Sequence, residues 1–168
     1  VKDWKVIFLF TFLLILSDQA TKFWAREKLS EYSQSVVLIP KILNLGLVFN
    51  TGAAFGILGE QTLLLSVLSF LFCLGLFFFL VNNFFKLNKT EVISFIFIFG
   101  GAFGNLIDRF YFQKVTDFIE FLFIPNFNLA DAFINIGFVL YVFVLSKKNN
   151  KTQKTKKSFQ TNSINQES

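Results

Sequence analysis

The sequence predicts a mainly α polytopic membrane protein: four transmembrane helices with a small β-rich surface element on the outer, extracytoplasmic side. Three observations lead there. Of 168 residues, 54% are hydrophobic and 27 are Phe, and the mean hydropathy of +0.57 exceeds what a water-soluble core requires. Four apolar runs are each long enough to cross a hydrocarbon core about 30 Å thick at about 1.5 Å per residue. The stretches between them are too polar to span, and two are rich in β-branched and aromatic residues bounded by turn signals.

The first span is expected at about 5–24. Its apolar part follows Lys2 and Lys5 and has the length of a signal-peptide core. No A-x-A pattern follows, and Asp18, Gln19 and Lys22 are poor neighbours for a cleavage site, so a retained helix is expected. Residues 25–61 balance Arg26, Lys28 and Lys41 against Glu27, Glu31 and Glu60. Short strands are expected at 35–39 and 42–49, divided by Pro40. The motif N-T-G-A-A-F-G at 50–56 reads either as an ordinary loop or as a tight turn whose Asn50 offers a donor and an acceptor to an extended peptide. Further spans are expected at about 62–81, 92–108 and 129–146, with a strand at 114–123 between the last two. Residues 1–146 thus form one membrane domain. Residues 147–168 hold six lysines against a single Glu167 and are expected to be a disordered basic tail. A basic tail beside an apolar span holds that end against anionic lipid rather than nucleic acid. Lysines near the N-terminus, after the second span and in the tail place both termini in the cytoplasm, which requires an even number of spans.

The chain has no His and a single Cys, Cys73. That excludes Ser-His-Asp and Cys-His catalysis within the chain, a His-bearing metal site and an intrachain disulfide. Cys73 is expected to be a packing or lipid-facing residue. Carboxylates remain, together with a Ser17 and Lys22 pair. In G-G-A-F-G-N-L-I-D-R, residues 100–109, Gly101, Gly104, Asn105 and Asp108 share one helical face that can take a neighbour at close range. The plainer reading is a small-xxx-small helix contact, with Asp108 and Arg109 marking the membrane exit. In F-N-L-A-D, residues 127–131, Asp131 enters the membrane where Asp108 leaves it. On adjacent antiparallel helices the two carboxylates lie at one depth, as an aspartyl hydrolase needs: one ionised to deprotonate water, one protonated to serve the carbonyl. Asp18 and Lys22, four apart, form either an interfacial ion pair or a polar brace beneath a site. Asp117 either orients Arg109 or nearby backbone, or is a solvated strand acid. Asn128 is placed to cap the fourth helix.

Taken together, D-Q-x-T-K, N-x-G-A-A-F, G-G-x-x-G-N-x-x-D-R, V-x-D-F and F-N-x-A-D, in this order across residues 18–131, closely resemble the bacterial lipoprotein signal peptidases, also called signal peptidase II. The resemblance implies a multi-pass aspartyl peptidase of the bacterial inner membrane, with no cofactor and no metal. Its substrates would be diacylglyceryl-modified prolipoproteins drawn from membrane lipid, cut just before the lipidated Cys, and a globomycin-type inhibitor would bind it. Carried over by motif, Asp108 and Asp131 would be the catalytic pair. Asp18, Lys22, Asn50, Gly52, Asn105, Arg109, Asp117, Asn128 and Ala130 would be supporting positions. The competing class is a non-enzymatic transporter subunit or scaffold with intramembrane acids. Relay acids of that kind belong near mid-span, not at helix ends.

Overall fold

The apolar runs fold as helices α1 (Trp4–Lys28), α2 (Thr62–Asn83), α3 (Lys89–Phe112) and α4 (Leu129–Ile164). The computed structural model describes residues 3–29, 35–52 and 61–164. All four helices contain a window long and apolar enough to cross a bilayer. Caps rather than hydropathy set several helix ends. Asp3 accepts a hydrogen bond from the Lys5 amide and starts α1. Asn88 and Glu91 form a reciprocal capping box that starts α3 at Lys89, ahead of the apolar run. Gln113, with φ 56°, closes α3 by donating its amide to the Arg109 carbonyl.

α4 departs from the sequence expectation. It runs to Ile164 where a disordered tail from residue 147 is predicted. No Gly or Pro follows Gly137, so nothing interrupts a helix already nucleated in its apolar part, and propagation is far less costly than nucleation. Lys148 also ion-pairs with Glu91 of α3.

α3 is the central helix. Over half of its apolar window, 56%, is buried, against 17% in each of the other three, and it packs on α4, α2 and α1. Association between helices in lipid rests on close packing rather than on removal of water, and two glycines provide it. A Cβ at Gly101 would overlap the Ala130 carbonyl of α4, and one at Gly104 would lie 2.5 Å from Asp18 Oδ2 of α1. The small-residue face therefore receives two neighbouring helices. Cys73 of α2 is buried against Ala102 and Leu106 of α3.

Strands β1 (Val36–Ile39), β2 (Leu43–Asn50), β3 (Val115–Phe121) and β4 (Ile124–Phe127) form one antiparallel sheet in the order β1-β2-β3-β4. Leu47 and Phe118 pack on Ala25 of α1, seating the sheet at the end of the bundle where α1 and α3 finish and α2 and α4 begin. β2 and β3 pair Val48 with Asp117 and Asn50 with Val115. Residues 53–56 of the predicted turn lie outside the described residues.

Candidate active site

The site grows from a buried charge network at the sheet end of the bundle. Lys22, fully buried, places Nζ 2.9 Å from Asp18 Oδ2 and donates to Asn105 Oδ1 at 2.8 Å. Asp18 Oδ1 accepts the Ala130 amide at 2.9 Å, and Gln19 Nε2 donates both to Asp18 Oδ2 and to the Gly104 carbonyl, each at 3.0 Å. Buried charges are tolerated only when paired and hydrogen-bonded. Asp18 and Lys22 are therefore an internal brace joining α1, α3 and α4 rather than an interfacial ion pair.

The brace sets the orientation of two amides. Asn105 Oδ1 accepts from Lys22 and from Asn128 Nδ2, the latter at 3.1 Å, so its NH₂ is turned to donate to Asp131 Oδ1 at 2.8 Å. Asn128 caps α4 by accepting the Asp131 amide at 3.0 Å, while its own amide donates to Asp131 Oδ2 at 3.2 Å. The Asn128 NH₂ also donates to Asp117 Oδ1 at 2.7 Å. One asparagine thus bridges Asp117 and Asp131. Asn50 completes the set, donating to Asp117 Oδ2 at 3.1 Å and accepting the Gly52 amide at 2.9 Å.

Above this network lies a cleft of about 430 Å³ whose lining includes Asn50, Asn105, Arg109, Asp117, Asp131 and Asn135. Both carboxylates are strand- or cap-positioned: Asp117 by the period of β3, which turns Val115 and Asp117 to the same side, and Asp131 by the first turn of α4, where the helix dipole favours an anion. Burial first, then the charge of Asp131, push the Asp117 carboxyl up to about 7. The Arg109 guanidinium lies within electrostatic reach of Asp131, Asp117 and Asp108.

Asp108, one of the two acids expected to be catalytic, is not in the lining of the cleft. It is fully buried and faces α1. Its Oδ2 accepts the Thr116 amide at 2.8 Å and stands 3.8 Å from Lys22 Nζ, while Oδ1 stands 3.6 Å from Arg26. Gly101, Gly104, Asn105 and Asp108 do share one helical face, but at Asp108 the neighbour is α1, whose cations face the carboxylate. The partner that the fold brings to Asp131 is Asp117, which the sequence placed as an orienting or solvated acid. Arg26 and Thr116 were missed altogether. Arg26 donates to Thr116 Oγ1 at 2.8 Å and lies 4.4 Å from the Phe112 ring centre, clamping the start of β3 beside Asp117. The available signal was an acid embedded in a strand of β-branched and aromatic residues, an expensive location unless it has a task. Among the described residues, no group of three His, Cys, Asp or Glu side chains is arranged to hold a metal.

A family profile described as signal peptidase (SPase) II matches residues 10–147. The chain belongs to the signal peptidase II family. It is 41% identical over 127 residues to a lipoprotein signal peptidase of Microcystis aeruginosa, covering 74% of this chain and 81% of that one. The corresponding figures are 39% over 138 residues, 81% and 82%, for a lipoprotein signal peptidase of Fusobacterium nucleatum. Among solved structures, a bacterial membrane enzyme determined by the in meso method at 2.3 Å matches with a TM-score of 0.79 and 28% identity, over 88% of this chain and 92% of that one. A second, at 1.9 Å, has a TM-score of 0.73 and 29% identity over 84% and 93%. The four-span fold with its small sheet is therefore shared with solved membrane enzymes. Of the signal peptidase II motif positions, Asn50, Asn105, Arg109, Asp117 and Asp131 line the cleft, and Gly52, Asp18, Lys22, Asn128 and Ala130 hold those residues from behind.

Proposed function

We propose that this chain is a membrane aspartyl endopeptidase that removes the signal peptide from diacylglyceryl-modified prolipoproteins, cutting before the lipidated Cys, with Asp117 and Asp131 as its catalytic pair. The observation that carries this reading is that these two carboxylates, and not Asp108, line one cleft and are bridged by Asn128. Family membership supplies the reaction class.

Asp131 is the base. It accepts hydrogen bonds from Asn105 and from the Asn128 amide, which hold its carboxylate at the cleft wall. Asp117 is the acid, since burial and the neighbouring charge keep its proton on up to about pH 7. Asp131 takes a proton from water as the water oxygen attacks the scissile carbonyl carbon, and Asp117 gives its proton to the carbonyl oxygen. The resulting gem-diol returns that proton to Asp117 as the carbonyl re-forms, the C–N bond breaks, and the leaving amine takes the proton held by Asp131. Arg109, on the cleft wall, is placed to hold the substrate backbone. Lysine placement supports a cytoplasmic location for both termini, and with family membership it supports a cleft at the outer face of the bacterial inner membrane. A globomycin-type cyclic peptide would occupy the same cleft. The transporter or scaffold alternative is disfavoured, because both acids lie at the bundle end in a cleft rather than at mid-span.

The test is incubation of purified protein with a lipid-modified prolipoprotein. Wild type cleaves it. Asp117→Asn and Asp131→Asn each lose cleavage by at least about 10²-fold while remaining inserted and folded, the range expected when an acid or base is removed. Turnover near wild type in either variant would exclude this pair.

A further inference from the structure

Away from the cleft, the two hairpin turns of the sheet meet in one apolar tip. The Leu122 amide donates to the Ile42 carbonyl at 2.9 Å, tying the β3–β4 turn to the β1–β2 turn. Ile39, Ile42, Leu122 and Ile124 are exposed there, and Phe123 is 100% exposed. Lys41 is the only charged residue in either turn.

The turn chemistry runs against what water would favour. Phe121 pairs with Ile124, leaving Leu122 and Phe123 as a two-residue hairpin loop, a place normally held by Asn-Gly or Asp-Gly. Leu122 has φ 52°, a left-handed conformation that is strained for a branched aliphatic side chain. The chain accepts that strain in order to project two large apolar side chains. Such a loop is consistent only with an apolar environment around its tip.

The bilayer is the apolar environment at hand. The sheet emerges at the end of the bundle where two spans finish and two begin, so it lies beside the membrane surface. The spans expose the same class of side chain to lipid, for example Phe8 and Phe78. The tip contains no acid, and Glu120, nearest to it on β3, is engaged by Ser35 and Asn44. Lys41 beside the apolar group is suited to lipid phosphates.

We propose that this tip is a membrane anchor: Ile42, Leu122 and Phe123 insert among the acyl chains of the leaflet on the sheet's side, with Lys41 at the phosphate level. The anchor lays the sheet along the bilayer surface. Ile124 and Pro125 continue from the tip into the wall of the cleft, so the anchor also sets the height at which the cleft meets lipid. It requires only the four-span fold and stands whether or not Asp117 and Asp131 are the catalytic pair.

The experiment places an environment-sensitive nitrobenzoxadiazole label at Phe123→Cys in a Cys73→Ala background, reconstituted into nanodiscs of phosphatidylethanolamine and phosphatidylglycerol. The expected result is loss of emission with lipids brominated on their acyl chains and none with aqueous iodide. Iodide quenching without acyl-chain quenching would put the tip in water and overturn the proposal. Emission insensitive to both quenchers would put a protein surface, such as a second copy of this chain, over the tip and would overturn it equally. A parallel measurement needs no substitution: a phospholipid carrying a diazirine on its acyl chain is photolysed with the unmodified chain in nanodiscs. Adducts on residues 122–124 are expected, and their absence alongside adducts on the spans would count against insertion.

Discussion

Asp108 and Asp117 are both buried carboxylates, yet their neighbours assign them different work. Asp108 is matched to cations and to one backbone amide. Asp108→Asn keeps an acceptor for the Thr116 amide but removes the charge that faces Lys22 and Arg26. Breaking a buried pair costs about 3–5 kcal/mol, and the lower end applies because Lys22 retains Asp18. The expected outcome is a lower thermal midpoint in detergent with measurable cleavage by the protein that remains folded, in contrast to Asp117→Asn. Complete inactivity in well-folded Asp108→Asn would restore Asp108 to the chemistry. The raised Asp117 value adds a pH prediction. A general acid with a value of about 7 is protonated below that pH and ionised above it, so kcat/KM falls as pH rises through about 7. The sign for stability is the same. A carboxyl whose folded value is raised above its unfolded one stabilises the fold fully below the ordinary carboxylate range and loses that contribution as pH rises through the folded value. Thermal midpoints therefore decline from the ordinary carboxylate range up to about 7 and level off above it, where the rate is falling, and a pH series of initial rates and melts checks both. That acids and amides of several motifs gather at one end of the bundle was legible from the residues. Which acids line the cleft was not, because spacing along a helix reveals which residues share a face but not which helix covers that face.

At the scale of elements, α3 acts as the post against which the others are set, and its glycines are the contact surface. Gly101 lies directly under the carbonyl of Ala130, one residue before Asp131. Gly101→Val would push the first turn of α4 away and, with it, the Asn105 hydrogen bond to Asp131. Overpacking of this kind costs about 1–3 kcal/mol, and a misplacement of about 1 Å can reduce rates by about 10²-fold. The variant should therefore lose more in kcat than in stability, measured by cleavage rates and melting on the same preparation. Equal kcat would mean that α4 is positioned by other contacts. Helix existence was legible at this scale, since about twenty apolar residues leave few alternatives. Helix ends were less so, because capping by Asn88 with Glu91 and by Gln113 is a local hydrogen-bond decision that hydropathy does not register. The continuation of α4 to Ile164 was missed for a related reason: composition judges a segment in isolation, whereas a helix inherits its nucleus from the span before it.

At the scale of the whole molecule, the cleft sits at the end of the bundle and beside lipid, so the substrate's own lipid should dominate recruitment. Burying acyl chains contributes about 0.8 kcal/mol per CH₂, against roughly 1 kcal/mol for each hydrogen bond to the peptide. In one nanodisc preparation, kcat/KM for a prolipoprotein with diacylglyceryl on its Cys should exceed that for the unmodified form by at least about tenfold. Equal values would show that lipid is not read. The number of spans, the common side of the helix ends and the surface sheet follow from the sequence by itself, because length, hydropathy and periodicity are local properties that a bilayer constrains severely. The tertiary structure alone decided how the polar residues are partitioned. It turned Asp108 toward Lys22 and Arg26, brought β3 back so that Asp117 shares Asn128 with Asp131, and gathered two hairpin turns into one apolar tip. The physical reason is that a carboxylate's state depends on charges and donors within about 4–6 Å, and here those neighbours come from α1, β2 and α4, up to 112 positions away along the chain.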